Sequence, residues 1–137
     1  MTGKNIYIKT YDWSAKVLFD AEPSDHDRVM YYLERIGVPE GKVLRASKLL
    51  LRGTYDNAFT ASNAGKRMSI IVLTPSSSEA EFLNTISHEV RHLVDDIAGA
   101  YGMERHGEEV GYLTGDITYY LTEQVQHHIC SCNPKGL

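Results

Sequence analysis

Two histidines four residues apart, His88 and His92, enclose Glu89 in the stretch His88-Glu89-Val90-Arg91-His92. On a helix both imidazoles project from one face, one turn apart. That spacing lets two nitrogens reach a single Zn²⁺ at about 2.0–2.1 Å. Glu89 sits beside His88 on the same turn, placed to accept a proton from metal-bound water. Zinc lowers the pKa of such water to about 7, so these residues point to hydrolysis near neutral pH. Two imidazoles and a carboxylate would also suit Fe, Co or Mn.

A catalytic zinc needs a third protein ligand and an open position. A third His six residues beyond His92 is excluded, because Ala98 stands there, and Asp95 stands where a Gly would be expected. The candidates downstream are Glu104, His106, Glu108 and Glu109. Glu108 is favoured, since Gly111, Tyr112 and Gly115 follow it at i+3, i+4 and i+7 on one helical face. Glycines there would let that helix approach the metal helix closely. Glu109 shares its face with Leu113, Asp116 and Tyr120. Both acids also fit a solvated first turn favoured by the helix dipole.

Three further signals stay open. Asp96, four residues after His92, is placed either to orient that imidazole or to stand as an exposed charge. Tyr112 either donates to a developing oxyanion or packs with its hydroxyl wet. The run His127-His128-Ile129-Cys130-Ser131-Cys132 holds ligand-type side chains at a spacing that matches no common zinc site.

These groups need elements to hold them. Asn5 to Tyr11 and Lys16 to Ala21 read as strands, with Asp12-Trp13-Ser14 as the hairpin turn. Trp13 and the Tyr31-Tyr32 pair read as core or partial surface. Ser24 and Asp27 resemble a capping box ahead of Val29, Met30, Leu33 and Ile36, with Gly37 as the stop. Pro39 opens a second helix carrying Val43, Leu44, Leu50 and Leu51, closed by Gly53. Asp56 to Ala61, the turn Ser62-Asn63-Ala64-Gly65 and Lys66 to Leu73 form a second hairpin. Its second strand, Met68 to Leu73, is the most apolar in the chain.

Thr74-Pro75 and the serines after it read as a helix entry. The helix runs to about Ala100 with Phe82, Leu83, Ile86, Val90, Leu93, Val94 and Ile97 on one apolar stripe. Gly102 and Gly107 mark a loop. A last helix spans roughly Glu108 to His128, with Val110, Leu113, Ile117, Tyr120 and Leu121 on its apolar face. The plan is α+β.

The bulk properties fit one small domain. A chain of 137 residues, 42% hydrophobic and 23% charged, can bury a core without a disulfide or structural metal. A net charge of −4 and the absence of a long Lys/Arg run argue against nucleic acid or an anionic membrane as partner. No signal peptide or membrane-spanning apolar run is read. Cys130 and Cys132 are poorly placed to pair, which fits a reducing cytosol.

The stretch Thr85-Ile86-Ser87-His88-Glu89-Val90-Arg91-His92-Leu93, followed by Glu108-Glu109-Val110-Gly111-Tyr112-Leu113-Thr114-Gly115, resembles the zincin-like metallopeptidases of the gluzincin (HExxH) type. More narrowly it is similar to small proteins of Bacteroidetes and their phages, in which Glu followed by Ala-Tyr-Leu-x-Gly marks the second helix. Here Gly111 stands where Ala is usual. The resemblance covers Gly53 to Leu121, about half the chain. It implies one zincin-like domain over residues 1–137, with a small, mostly antiparallel sheet, the metal helix and a following ligand-bearing helix, and it implies that Met68 to Leu73 is a sheet edge to which an extended peptide could add. It implies Zn²⁺ held by His88, His92 and Glu108, with Glu89 as the catalytic general base. The expected substrate is a peptide or protein, and the expected setting the cytoplasm of a bacterial or phage-infected cell. Nothing corresponds to the transition-state-stabilising His or Tyr of thermolysin-like enzymes. A non-catalytic metal-binding structural or assembly protein, such as a phage component, is the alternative on the same fold.

Overall fold

The computed structural model describes residues 1–130. Strands β1 (Thr2–Ile8) and β2 (Trp13–Phe19) pair antiparallel, as their alternating pattern requires. The turn between them lies earlier than Asp12-Trp13-Ser14. A 3-10 turn covers Lys9–Tyr11, and Asp12 takes a left-handed conformation with its N–H donating to Lys9 O. Trp13 therefore opens β2 and is fully buried, its Nε1 donating to Ser69 Oγ at 2.8 Å. An indole buries a large apolar area and needs one acceptor, and the strand position supplies both.

Helices α1 (His26–Ile36) and α2 (Glu40–Leu51) follow. The capping box ahead of α1 uses Glu22 and Asp25, not Ser24 and Asp27; the Glu22 N–H donates to Asp25 Oδ2 at 3.0 Å. Pro23 fixes a 3-10 turn, and this moves the helix start beyond Ser24. Gly37, with φ +80°, ends α1 as expected.

Strands β3 (Ala58–Asn63) and β4 (Met68–Leu73) complete a mixed sheet in the order β1-β2-β4-β3. The β2–β4 pair is parallel and the outer pairs are antiparallel. β4 is thus interior, which overturns its expected edge position. Ser69 to Leu73 is buried throughout, and a strand covered on both faces reads as a continuous apolar run. The edge beyond β4 is β3.

Helix α3 (Glu79–Tyr101) begins four residues after Pro75. Ser78 is its N-cap, its Oγ accepting from Glu81 N at 3.1 Å. Pro75 instead extends the strand pairing, since its carbonyl accepts from Asp56 N. Helix α4 (Glu108–Cys130) folds back along α3.

Two apolar layers flank the sheet. On one face Trp13, Val17, Phe19 and Ile71 meet Ile86, Val90, Leu93 and Ile97 of α3, with Leu113 and Ile117 of α4. On the other, Leu18, Ile70 and Val72 meet Val29, Leu33 and Leu50. The apolar faces expected for the helices include four residues that the fold leaves exposed: Leu44, Leu51, Leu83 and Tyr120. Among the described residues no helix is long and apolar enough to cross a membrane.

Candidate metal centre

The middle turns of α3 carry the three residues that the spacing singled out. One face of this helix must cover the sheet, and Ile86, Leu93 and Ile97 do so. That orientation turns Glu89 toward β3 and leaves His88 and His92 at the open side of α3. Their Nε2 atoms face each other at 3.0 Å, with the rings 4.7 Å apart and inclined at 77°. Oε2 of Glu89 lies 4.0 Å from His88 Nε2. Ligand atoms of His88, Glu89 and His92 all fall within 4.8 Å of one another, so the three form a group that can hold a metal ion.

The donor set fits a divalent transition ion. Two neutral imidazoles whose Nε2 atoms point at each other have one proton to share between them, whereas a cation satisfies both lone pairs. Two nitrogens at tetrahedral zinc distances stand about 3.3 Å apart, close to the observed separation. Arg91, the nearest cation along the chain, is drawn aside: its Nε donates to Asp95 Oδ1 at 3.1 Å. The Arg91 guanidinium is therefore engaged away from the pair.

Glu89 is the buried member, 5% exposed. A carboxylate there needs donors. Thr60 of β3 supplies one: its Oγ1 donates to Glu89 Oε1 at 2.8 Å, leaving Oε2 turned to His88. Two residues on, Ser62 Oγ donates to Asp96 Oδ2 at 2.6 Å. Residues i and i+2 of a strand share a face, as do residues seven apart on a helix, so edge strand and metal helix meet as two hydroxyl–carboxylate pairs. The second pair continues inward, because Ser62 Oγ and Ser69 Oγ are 2.7 Å apart and Ser69 accepts from Trp13. Asp96 is thus half-buried and engaged with Ser62, not a free exposed charge. Thr60 and Ser62 were missed in the sequence; hydroxyls two apart in the strand before the motif were the available sign.

The expected third ligand is not brought in. Glu108 is exposed in the first turn of α4, outside the group formed by His88, Glu89 and His92. Two features of the packing separate it. From His92, α3 runs on for about 14 Å to Tyr101 before the loop that leads to Glu108 begins. In addition, α4 packs on the side of α3 carrying Leu83, Ile86 and Val90, where Thr118, Leu121 and Val125 share a groove with them. That side is more than a third of a turn around from the imidazoles.

Glu109 and Asp116 are exposed on α4, and the hydroxyl pKa of Tyr11 is raised by burial first and by these two carboxylates next. Glu104 and His106 are exposed in the loop, where the His106 N–H donates to Glu104 Oε1. Tyr112 is 70% exposed. In the C-terminal run, His128 stacks on Phe82 with ring centroids 4.4 Å apart, and its Nε2 is 3.2 Å from Asp20 Oδ2. Ser131 and Cys132 lie outside the described residues.

The chain matches no family model, and no curated protein or solved structure matches it, so its tie to metal chemistry is the group of His88, Glu89 and His92.

Proposed function

We propose that this protein is a zinc-dependent hydrolase of zincin-like type that cleaves peptide bonds in a peptide or protein substrate. The observation that carries the reading is the convergence of His88 and His92 Nε2 at 3.0 Å with a buried carboxylate beside them. His88 and His92 would supply two of the three protein ligands that a catalytic zinc needs. Zinc in that place supplies a Lewis acid that makes water nucleophilic near neutral pH. Glu89 takes the proton of the attacking water and returns it to the leaving amine. Thr60 keeps the Glu89 carboxylate turned so that Oε1 is occupied and Oε2 is free for that transfer. The imidazoles are exposed, which leaves room for an extended chain beside them.

A second reading has its own observation. Among the described residues the group contains three donors, and one of them is Glu89. If Glu89 ligates the ion, no base remains, and the protein is a non-catalytic metal-binding structural or assembly component. Glu89→Gln separates the two readings. Metal content unchanged with cleavage of a peptide library abolished supports the hydrolase. Loss of metal supports the second reading. Protein prepared without chelators that carries no stoichiometric transition metal overturns both.

A further inference from the structure

The sheet face opposite the metal group carries a groove of about 600 Å³. It exists because α1 and α2 lie over β3, β4 and Leu18 of β2, while the sheet continues to β1. Tyr7, Ser14 and Met68 form one row across three strands in the floor. Tyr31, Tyr32 and Arg35 of α1 form the wall. Tyr7 and Tyr31 are about half exposed, so tyrosine ring surface that helices would otherwise bury stays open.

The charges in this groove are one-sided. Lys16 rises from the floor, with its Nζ 4.7 Å from the Tyr32 ring centroid. Arg35 lies over Tyr31 at 5.6 Å and donates from Nη1 to the Tyr31 hydroxyl at 3.0 Å. Among the described residues neither cation has an ion-pair partner, and no Asp or Glu lines the groove. The nearest acid on β1's turn, Asp12, is already engaged by Tyr7 and Arg67. In a chain of net charge −4, two cations thus face apolar surface without a counter-charge.

We infer that this groove binds a small amphiphilic anion, an aromatic or alkyl body bearing one carboxylate. The body covers Met68 and the tyrosine rings, and the carboxylate meets the Lys16 ammonium and the Arg35 guanidinium. A volume of this size is that of small-molecule sites, which pair a mostly apolar lining with a few placed polar groups. Cations resting on aromatic faces gain strength as water is displaced from around them. Because the groove and the metal group lie on opposite faces of the sheet, binding here is independent of the hydrolase reading.

The test is titration of isotope-labelled protein by NMR with 2-naphthoate, laurate and the neutral 2-naphthalenemethanol. Saturable shifts are expected at Tyr7, Ser14, Lys16 and Tyr32, the same with and without chelator. The stronger of naphthoate and laurate tells whether the body is aromatic or alkyl. The neutral alcohol and the Lys16→Gln/Arg35→Gln variant are each expected to weaken binding roughly tenfold, the loss of charge-assisted contacts. Both side chains reach solvent, and a retained dispersed spectrum certifies the variant's fold. No saturation at millimolar ligand overturns the inference. So do shifts centred on Thr118 and Leu121 instead, or equal binding of acid and alcohol.

Discussion

Thr60 and Glu89 are joined by a 2.8 Å hydrogen bond from the edge strand to the centre of the metal helix. The acceptor is a buried side chain, so the bond has consequences for stability as well as for orientation. Thr60→Val keeps the shape and removes the donor. It is expected to cost about 1.5–3 kcal/mol, the range for a hydrogen bond to a charged group. Thr60→Ser is expected to restore most of this loss. Urea denaturation of the three proteins decides the matter, and equal midpoints for the parent and the Thr60→Val variant would show that Glu89 draws nothing from β3.

Metal binding is expected to ignore Glu108. The helix that carries it meets α3 on the side of Val90, away from the imidazoles. Glu108→Gln should therefore bind zinc as the parent does, whereas His92→Ala should lose it. Zinc at a hundred times its Kd should raise the stability of the parent by about 2.7 kcal/mol, and that gain should vanish only in the histidine variant. Zinc lost from Glu108→Gln would mean that α4 sits differently against α3 than it does here.

The contrast between His88 and Glu108 shows what a sequence discloses and what it withholds. The i, i+4 spacing of His88 and His92 is a property of one helix, and the helix was legible from its apolar stripe. The third ligand depends on how far α4 returns along α3 and on which side, and no local pattern records that. The same holds for the sheet. The strands were legible from alternation and apolar runs, but the place of β4 between β2 and β3 is set by a crossover through α1 and α2. The resemblance to zincins suggested an edge instead. Asp96 was legible as a polar group near His92, yet its partner Ser62 lies 34 residues away in sequence.

The path from Trp13 through Ser69 and Ser62 to Asp96 gives a further expectation. Each hydroxyl accepts from one neighbour and donates to the next, so the proton directions are fixed along the whole path. Ser69 is 1% exposed and Trp13 has no exposure at all. Ser69→Ala leaves the indole N–H buried without an acceptor, which should cost about 1–3 kcal/mol. Pairing it with Trp13→Phe should recover part of that loss, because the orphaned donor is then gone. A double-mutant cycle measured by denaturation gives the coupling; strict additivity would show that the indole and Ser69 act separately.

Tyr11 tests the position of α4 from the other side. Its phenol is pushed above the ordinary value by burial, then by Glu109 and Asp116. A raised folded-state pKa means that the neutral phenol is favoured in the folded chain. The stability this contributes is complete below the unfolded phenol's pKa of about 10 and is lost as pH rises above it. Glu109→Gln removes one of the two carboxylates, so Tyr11 should titrate at lower pH and the alkaline loss of stability should shrink. NMR titration of labelled tyrosine, with Tyr11→Phe to assign the signal, measures this directly. If Glu109→Gln leaves the Tyr11 titration where it was, then Glu109 does not face that ring.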